Sequence, residues 1–383
     1  MRILTFLYSF EPGGVERVAL RLVRAWRAEG VDAPLFMGRA DGAMREEMAA
    51  DLAYEVPRQP FAIGWIETLW MIATLPRVIV RLRPDALFCA GNSYTIVALA
   101  MKLLLGRRCP PILAKISNDL ERRDMIPPVR WLYRRWLHLH GAFIDHFIGM
   151  EHPMEGEITN AIPAAIGRIS IIPDPALDEA QLVRLHHAVG SARNASAGGI
   201  RFAAIGRLAP QKNVALMLRA FACGAASLDS LTIYGDGPEH ATLSALCRNL
   251  GIEDRVELAG HVPDPASRLP DFDVFLLSSD YEGVPAVIVE ALAAGLPIIA
   301  TRCSVSMAAL TGHGALAHLI DTGDLQAFSA AIRDAGRLRQ DRAASLAQAR
   351  RFTVERASQA YLACFQAIRR PAPTRQNNFL SSN

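Results

Sequence analysis

The chain has 383 residues, 51% of them hydrophobic and 21% charged, and its 41 Lys and Arg against 38 Asp and Glu give a net charge of +3. This composition is typical of a globular protein, and the length favours two domains over one. An integral membrane protein is not predicted, because the longest apolar stretch, 61–75, contains Glu67 and ends at Pro76. The 6 cysteines show neither a CxxC pair nor metal-ligand spacing, so we predict reduced core thiols in a cytosolic chain.

The first half of the chain alternates short apolar runs with helical patterns. Its start, residues 1–8, is too short for the apolar segment of a signal peptide and predicts a first strand instead. Crossover helices are predicted at 15–28, 65–82, 95–105 and 129–139, between strands at 3–8, 33–37, 86–89, 112–116, 146–149 and 169–172. This alternation predicts a doubly wound α/β domain.

The same alternation begins again after a proline-containing linker at 173–178. Strands are predicted at 202–205, 231–234, 256–259, 274–277, 298–301 and 318–320, after a surface loop at 190–199. We therefore expect two Rossmann-like domains, an N-terminal one over 1–176 and a C-terminal one over 177–352. A last helix, 353–369, is long enough to return to the first domain, and the polar tail, 370–383, is predicted to be disordered.

The stretch from Ser278 to Pro297 carries two carboxylates, Glu282 and Glu290. It follows an apolar strand, and it predicts a loop, then a helix with Pro285 near its first turn, and an end at Gly295. Because the loop leaves the carboxyl end of a parallel strand, it should face the ligand-binding crevice, where a phosphate fits the helix start. Glu282 would lie beside the reacting group and Glu290 near a more distant hydroxyl pair. The alternative is two solvated surface charges.

Two further loops have features that bind phosphate. Gly13 and Gly14 follow the first strand and permit close approach of the backbone to an anion at a helix N-terminus, although such a pair is also common in plain turns. Arg207 and Lys212 follow the first strand of the second half. Both can converge on a diphosphate there, the alternative being a pair of exposed charges.

The sequence does not predict a bound cofactor. The GxGxxG fingerprint with its acidic partner is absent, which argues against a nicotinamide cofactor. Asp271 and Asp273 have the form of a metal-binding DxD pair, but the second aspartate opens a buried strand, so a structural role is predicted. Since no other acidic or histidine cluster has ligand spacing, no metal is implied.

Residues 77–138 contain twelve Lys and Arg against four acidic residues, which predicts a basic face. Aromatic residues are interleaved with the arginines at 130–138, a pattern typical of a helix lying on an anionic membrane surface. The alternative is a solvated arginine-rich helix whose Trp and Leu side chains face the core. Nucleic acid is not predicted as a partner, since no recognised binding module accompanies the charge.

Taken together, these features resemble the retaining GT-B glycosyltransferases of family 4, also called glycosyl transferases group 1. The likeness covers almost the whole chain, and its motifs occur in the family's order: Gly206-Arg207-Leu208, Lys212-Asn213, Tyr234 to Glu239, Gly260-His261-Val262, Glu282 to Pro285, Glu290-Ala291, Gly295-Leu296-Pro297 and Phe352 to Arg356. The resemblance implies two domains facing across a cleft, with a nucleotide sugar on the second and the acceptor mainly on the first.

The resemblance also implies roles for individual residues. Donor binding would fall to Gly13, Gly14, Arg207, Lys212, His261, Glu282, Gly283, Val284, Val287 and Glu290. Glu290 would hold the ribose hydroxyls, Arg207 and Lys212 the diphosphate, and Glu282 the sugar near its anomeric centre. Catalysis by Glu282, Arg207 and Lys212 would be mostly electrostatic. Acceptor-side candidates are Glu16, Asn118 and Asp119.

Two positions depart from the family pattern. Asn118 stands where many members carry a histidine, and residues 301–306 replace the usual Gly-Gly-x-x-Glu stretch. Since an asparagine cannot act as a base, only hydrogen bonding to the donor sugar is expected of Asn118. The contacts of 301–306 stay open.

The resemblance implies a cytoplasmic, metal-independent retaining transferase, with a peripheral position at the inner face of the membrane if the basic region touches lipid. It would move a hexose from a UDP-, GDP- or ADP-linked sugar to a lipid-linked or growing saccharide acceptor. One alternative is a sugar-nucleotide epimerase of the same fold, which would need no acceptor. Another is a catalytically silent scaffold subunit, against which the complete set Arg207, Lys212, Glu282 and Glu290 argues.

Overall fold

The computed structural model describes residues 1–11, 13–42, 44–59, 64, 66–117, 120, 127–192 and 198–369. Within them the chain forms two six-stranded sheets, in which all strands pair in parallel, and the predicted GT-B class of α/β fold is confirmed. The first sheet contains β1 (Ile3–Leu7), β2 (Leu35–Met37), β3 (Ala86–Cys89), β4 (Ile112–Lys115), β5 (His146–Gly149) and β6 (Ile169–Ile171). The second contains β7 (Arg201–Ile205), β8 (Ser230–Tyr234), β9 (Val256–Gly260), β10 (Val274–Leu277), β11 (Ile298–Thr301) and β12 (His318–Ile320).

Helices connect these strands. In the first half they are α1 (Gly14–Ala28), α2 (Met44–Met48), α3 (Glu67–Leu82), α4 (Thr95–Leu105), α5 (Pro127–Phe143), α6 (Pro153–Ala161) and α7 (Glu179–Ala192). In the second they are α8 (Val214–Gly224), α9 (His240–Leu250), α10 (Ala286–Ala293), α11 (Met307–Leu310), α12 (Leu325–Arg333), α13 (Arg342–Ala349) and α14 (Val354–Ile368). None of the helices in the described part of the chain is long and apolar enough to cross a bilayer.

The prediction of a surface loop at 190–199 is wrong for residues 190–192, because α7 continues to Ala192. Gly190 and Ser191 weaken a helix only slightly, and the apolar positions before them, such as Leu182 and Leu185, are buried in the second-domain core. The burial of this apolar side stabilises α7 enough for the helix to continue through Gly190. Residues 193–197 and the predicted tail, 370–383, lie outside the described residues.

The first sheet has the strand order β2-β1-β3-β4-β5-β6. All five residues of β1 are buried, as expected for a strand covered on both faces. Helices α3, α4, α5 and α6 pack side by side in that order, and right-handed crossovers put α1 on the opposite face. Helix α14 packs against α1 there, where Tyr361 and Phe365 meet Trp26 and Phe88 edge to face.

The second sheet has the strand order β12-β11-β10-β7-β8-β9. Because β7 and β10 are neighbours although they are far apart in sequence, the loops that follow them leave the same edge of the sheet side by side. The loop after β10 leads into α10, which begins after Pro285 and is followed by Gly295 with a φ of 63°, as predicted for its end. The strand order therefore places both predicted phosphate-binding loops of this domain at one point.

The chain passes between the domains twice, and the two crossings are hydrogen-bonded to each other. The backbone N–H of Ala176 donates to the Phe352 carbonyl and that of Val354 donates to the Leu177 carbonyl, both at 2.9 Å.

A buried ion pair lies at the first crossing. Lys115 at the end of β4 is 1% exposed and pairs with Asp174 at 2.6 Å. The prediction that Lys115 belongs to a basic surface is therefore wrong, because the first crossing covers it with a carboxylate.

Candidate active site

The loops after β7 and β10 are joined by hydrogen bonds between their polar groups. The backbone N–H of Asp280 donates to the Gln211 carbonyl at 2.9 Å, and the Ser278 hydroxyl donates to the Lys212 carbonyl at 2.9 Å. The side-chain amide of Asn213 donates to the Asp280 carboxylate at 2.8 Å. These bonds hold the backbone of Lys212 against the start of the second loop, so its side chain leaves from a fixed position.

Lys212 and Glu282 form an ion pair across these two loops. Both side chains are mostly buried, with 20% of Lys212 and 12% of Glu282 exposed. The Ser279 hydroxyl donates to the same carboxylate oxygen at 2.9 Å, and the Glu282 backbone N–H donates to the Cys303 carbonyl at 2.8 Å. The carboxylate is therefore oriented from two sides. Any diphosphate that reached Lys212 would have to share its ammonium group with Glu282.

The residues after Glu282 bring the two domains into contact. A Cβ atom on Gly283 would overlap the carbonyl oxygen of Ser117 and lie 2.7 Å from Met150 Cε, both of which belong to the first domain. The next residue, Val284, packs against the cores of both domains. The absence of a side chain at Gly283 thus permits an approach that any other residue would prevent.

Ser117, together with Met150, is the first-domain side of this contact. The backbone N–H of Ser117 donates to the side-chain oxygen of Asn92 at 2.8 Å, which fixes the backbone just beyond the end of β4. The acceptor-side candidates that follow it, Asn118 and Asp119, lie outside the described residues. Their roles stay predictions.

Glu16 lies in the first turn of α1, at the carboxyl edge of the first sheet. The hydroxyl of the buried Tyr94 donates to its Oε1 at 2.6 Å, and the other oxygen occupies the space that a Cβ on Gly13 would need. Burial, with the Glu16 charge as a second cause, raises the pKa of Tyr94 well above its usual value. A glycine is thus required at position 13 because the Glu16 carboxylate occupies the adjacent space. This carboxylate lies at the N-terminus of α1, where the sequence predicted a bound anion. Gly14 is exposed with open space around it.

Glu290 lies on α10 and is half-buried. It lines a cavity of about 490 Å³ together with Asp264, Ser267 and Arg184. Desolvation raises the pKa of Glu290 to about 7, and the guanidinium groups of Arg21 and Arg17 on α1 of the first domain oppose this rise. The cavity gives the carboxyl group room for a ligand, and the arginines couple its charge to the other domain.

The raised pKa of Glu290 predicts a pH-dependent contribution to the free energy of unfolding. In the unfolded chain this glutamate ionises near its ordinary pKa of 4.5, whereas in the folded chain it keeps its proton until about pH 7. The stabilisation that comes from the protonated Glu290 is therefore complete below the unfolded-state pKa and is lost as the pH rises through the folded-state pKa. Over this interval the free energy of unfolding falls by at most about 3 kcal/mol. We expect Glu290→Gln to remove this fall in urea unfolding measured on either side of the interval. Equal pH slopes in the variant and the wild type would contradict the assignment.

Three further predicted donor residues, Arg207, His261 and Val287, do not take part in the Lys212–Glu282 ion pair. Arg207 follows β7 and His261 follows β9, and both are exposed. Val287 is half-buried on α10 and packs against the second-domain core. The structure thus brings Lys212 and Glu282 together and leaves Arg207 and His261 exposed to solvent.

Sequence reasoning assigned no individual role to several residues that build this site. They are Asn213, Ser279 and Asp280 in the second domain, and Arg21, Tyr94 and Ser117 in the first. For the second-domain set a signal was available, because Ser279 and Asp280 directly follow the predicted strand 274–277 and Asn213 is the neighbour of Lys212. For Tyr94 and Arg21 there was none, since their partners are distant in sequence.

The described residues contain no group of three or more His, Cys, Asp and Glu that could hold a metal ion. Asp273, the second residue of the DxD pair, accepts hydrogen bonds from the backbone N–H of Arg201 at 2.9 Å and from its guanidinium at 3.0 Å. These bonds join the starts of β7 and β10, so Asp273 has a structural role.

Two family models match this chain, one to each half. The model for Glycosyltransferase Family 4 matches residues 12–175, and that for Glycosyl transferases group 1 matches 199–336. N-acetyl-alpha-D-glucosaminyl L-malate synthase of Bacillus anthracis is 38% identical over 114 residues, which are 30% of this chain and 30% of the relative. Lipopolysaccharide core biosynthesis glycosyltransferase LpsE of Rhizobium meliloti is 36% identical over 102 residues, 27% of this chain and 30% of the relative. The matched part is thus less than a third of either relative.

Solved structures resemble the whole chain. HepE of Anabaena, in complex with UDP-glucose, has a TM-score of 0.75 and 19% identity, covering 96% of this chain and 100% of that one. WaaG, a glycosyltransferase involved in lipopolysaccharide biosynthesis, has a TM-score of 0.66 and 15% identity, covering 96% and 98%. With one family model on each half and the GT-B arrangement of its two sheets, the chain belongs to the family 4, or group 1, glycosyltransferases.

Proposed function

We propose that this protein is a retaining, metal-independent glycosyltransferase that moves a hexose from a nucleoside-diphosphate sugar to a lipid-linked or growing saccharide acceptor. The observation that carries the proposal is the Lys212–Glu282 ion pair, held between the loops after β7 and β10 and next to the interdomain contact at Gly283. A cation beside a carboxylate suits a donor with an anionic diphosphate at one end and sugar hydroxyls at the other. With a lipid-linked acceptor, the protein would work peripherally at the cytoplasmic face of a membrane.

The nucleoside end of the donor would lie toward Glu290. Its carboxyl group lines the 490 Å³ cavity and could accept hydrogen bonds from a pair of ribose hydroxyls. UDP is the first nucleotide to test, because HepE is described in complex with UDP-glucose and the pneumococcal O-GlcNAc transferase GtfA with UDP and GlcNAc. Arg207, exposed at the end of β7, would join the diphosphate only when the donor is bound.

In the proposed reaction the bond between the anomeric carbon and the diphosphate oxygen breaks, and its electron pair leaves with the nucleoside diphosphate. The ammonium group of Lys212 stabilises that developing charge, and Glu282 orients the sugar. An acceptor hydroxyl oxygen forms the new bond to the anomeric carbon on the face that the diphosphate leaves, which retains configuration. Its proton passes to the departing diphosphate, so no separate base is required.

Thermal unfolding in the presence of UDP, GDP or ADP tests the donor site. The nucleotide that binds the folded chain should raise its melting temperature, since saturation at 100 times the dissociation constant adds about 2.7 kcal/mol of stability. The other two serve as matched controls. No shift with any of the three would contradict a nucleoside-diphosphate site.

Nucleoside diphosphate release, measured with and without a saccharide acceptor, separates transfer from the alternatives. A transferase should release the nucleotide much faster with an acceptor. An epimerase would convert the nucleotide sugar equally well without one, and a scaffold subunit would do neither. Loss of release in Glu282→Ala is expected for a transferase, and wild-type release in that variant would contradict the role of Glu282.

A further inference from the structure

The exposed hydrophobic side chains of this protein are concentrated on one layer of the first domain. Among the described residues, fourteen large hydrophobic side chains are exposed, and nine of them lie on α3, α4 and α5: Leu69, Val80, Ile96, Leu103, Leu104, Val129, Trp131, Leu132 and Leu139. The three helices pack side by side over the same face of the first sheet. Such concentration is unusual for a surface exposed only to water and marks an interaction site.

The apolar positions of α4 and α5 form two outward stripes. On α4, Ile96, Leu103 and Leu104 recur at helical spacing, with exposed fractions of 44%, 68% and 60%. On α5, Trp131 is 58% and Leu132 is 60% exposed, while Leu137 is buried. The alternative, in which the Trp and Leu side chains of this segment face the core, holds for Leu137 but not for Trp131 or Leu132.

The same two stripes carry positive charge without acidic residues. Neither α4 nor α5 contains an Asp or Glu. Arg134 and Arg135 are exposed on α5 and form no ion pair within the described part of the chain, and Arg108 is exposed just beyond α4. The guanidinium of Arg135 lies 5.3 Å from the centre of the Trp131 ring. Lys102 does not add to this charge, because it pairs with Asp145 at 2.6 Å.

We propose that this surface, which we call the α4–α5 face, docks on the headgroup region of an anionic lipid bilayer. It is defined by Ile96, Leu103, Leu104, Arg108, Trp131, Leu132, Arg134, Arg135 and Leu139. Apolar side chains and arginines are interspersed over the two helices. The apolar side chains can therefore enter the boundary between lipid headgroups and acyl chains, while the arginines contact lipid phosphates. The broad two-helix face and its interfacial tryptophan suit a bilayer better than the groove-bound segment of a protein partner.

The direction of α5 connects this face to the cleft. The helix follows β4 and runs back along the sheet, so its first turns, with Trp131 and Leu132, lie at the carboxyl edge of the strands, the edge where Ser117 meets Gly283. A docked protein would hold its cleft near the bilayer, within reach of a lipid-linked acceptor. Docking itself does not rest on the proposed transfer reaction, whereas this link to the acceptor does.

Sedimentation of the full chain with vesicles tests the proposal. We expect binding to phosphatidylglycerol vesicles and little binding to phosphatidylcholine vesicles. The pair Arg134→Glu/Arg135→Glu and the pair Leu103→Ser/Leu104→Ser should each lower the bound-to-free ratio about tenfold or more. The emission of Trp131 should shift to the blue on binding, and Trp131→Phe should lose that shift while still sedimenting.

Matched variants on the second domain serve as controls. Leu228→Ser removes an exposed leucine, and Arg337→Glu/Arg339→Glu reverses two exposed arginines, and neither should change binding. Nucleotide-induced thermal shifts should be the same in all variants, which verifies folding. Equal sedimentation of the wild type and both α4–α5 pairs, or failure of the wild type to bind phosphatidylglycerol, would overturn docking. Failure of the transfer assay with intact vesicle binding would contradict only the proposed function.

Discussion

Lys212→Met is expected to lower the rate of sugar transfer about 10²–10³-fold and to weaken binding of the free nucleoside diphosphate. The reason is that its ammonium group is the cation held in place at the junction of the loops after β7 and β10, where the diphosphate charge would develop. The substitution should also lower the free energy of unfolding by about 3 kcal/mol, because it leaves Glu282 as a largely buried charge without its cation. Steady-state kinetics and urea unfolding measure the two effects separately.

A double variant separates the two consequences of that change. Lys212→Met/Glu282→Gln removes both charges and should recover most of the lost stability without recovering turnover. Lys102→Met is the matched control, since Lys102 is 12% exposed and also paired with a carboxylate, but lies on α4. It should cost stability and leave turnover unchanged. Wild-type affinity of Lys212→Met for the nucleoside diphosphate would remove Lys212 from the donor site.

The second large effect is expected for Gly283→Ala. The added methyl group would overlap the Ser117 carbonyl oxygen and press on Met150, so the domains would have to separate at this contact. A displacement of about 1 Å between the donor and acceptor sides is expected to reduce turnover roughly 10²-fold. Affinity for the free nucleoside diphosphate should change little, because its proposed contacts lie within the second domain.

Gly156→Ala is the control for Gly283→Ala. Gly156 lies on the exposed side of α6 with nothing within 4 Å of its missing Cβ, so alanine there should stabilise the protein by up to about 1 kcal/mol and leave turnover unchanged. A small-angle scattering measurement of the radius of gyration can test whether Gly283→Ala opens the cleft. Wild-type turnover in Gly283→Ala would show that the close approach to Ser117 is not needed for transfer.

The strands were predictable from sequence because parallel strands are buried on both faces and appear as continuous apolar runs. Runs such as 86–89, 146–149 and 274–277 coincide with β3, β5 and β10 to the residue. The positions of Glu282 in a loop and Glu290 on a helix were predictable for a related reason, since Pro285 and Gly295 delimit α10. Local residue types decide these features, and they are visible without the fold.

Pairings between distant residues were not predictable. Lys212 and Glu282 were assigned to different parts of the donor, and only the neighbouring positions of β7 and β10 put them in contact. Lys115 was counted with the surface charges, because nothing near it in sequence indicates that Asp174 covers it. Sequence composition gives the number of charges in a segment, but the path of the chain decides which of them meet a partner.

The hydrogen-bonded pair of crossings and the return of α14 also have a consequence for synthesis of the chain. Trp26 and Phe88 acquire Tyr361 and Phe365 as neighbours only after synthesis has proceeded through both domains and into α14. Of the two domains, the one that is synthesised earlier is thus the later to complete its core, although N-terminal domains generally fold first. During synthesis of the second domain, Trp26 and Phe88 of the first domain lack these aromatic partners. The incomplete first domain is therefore most prone to aggregation and to chaperone binding in that interval.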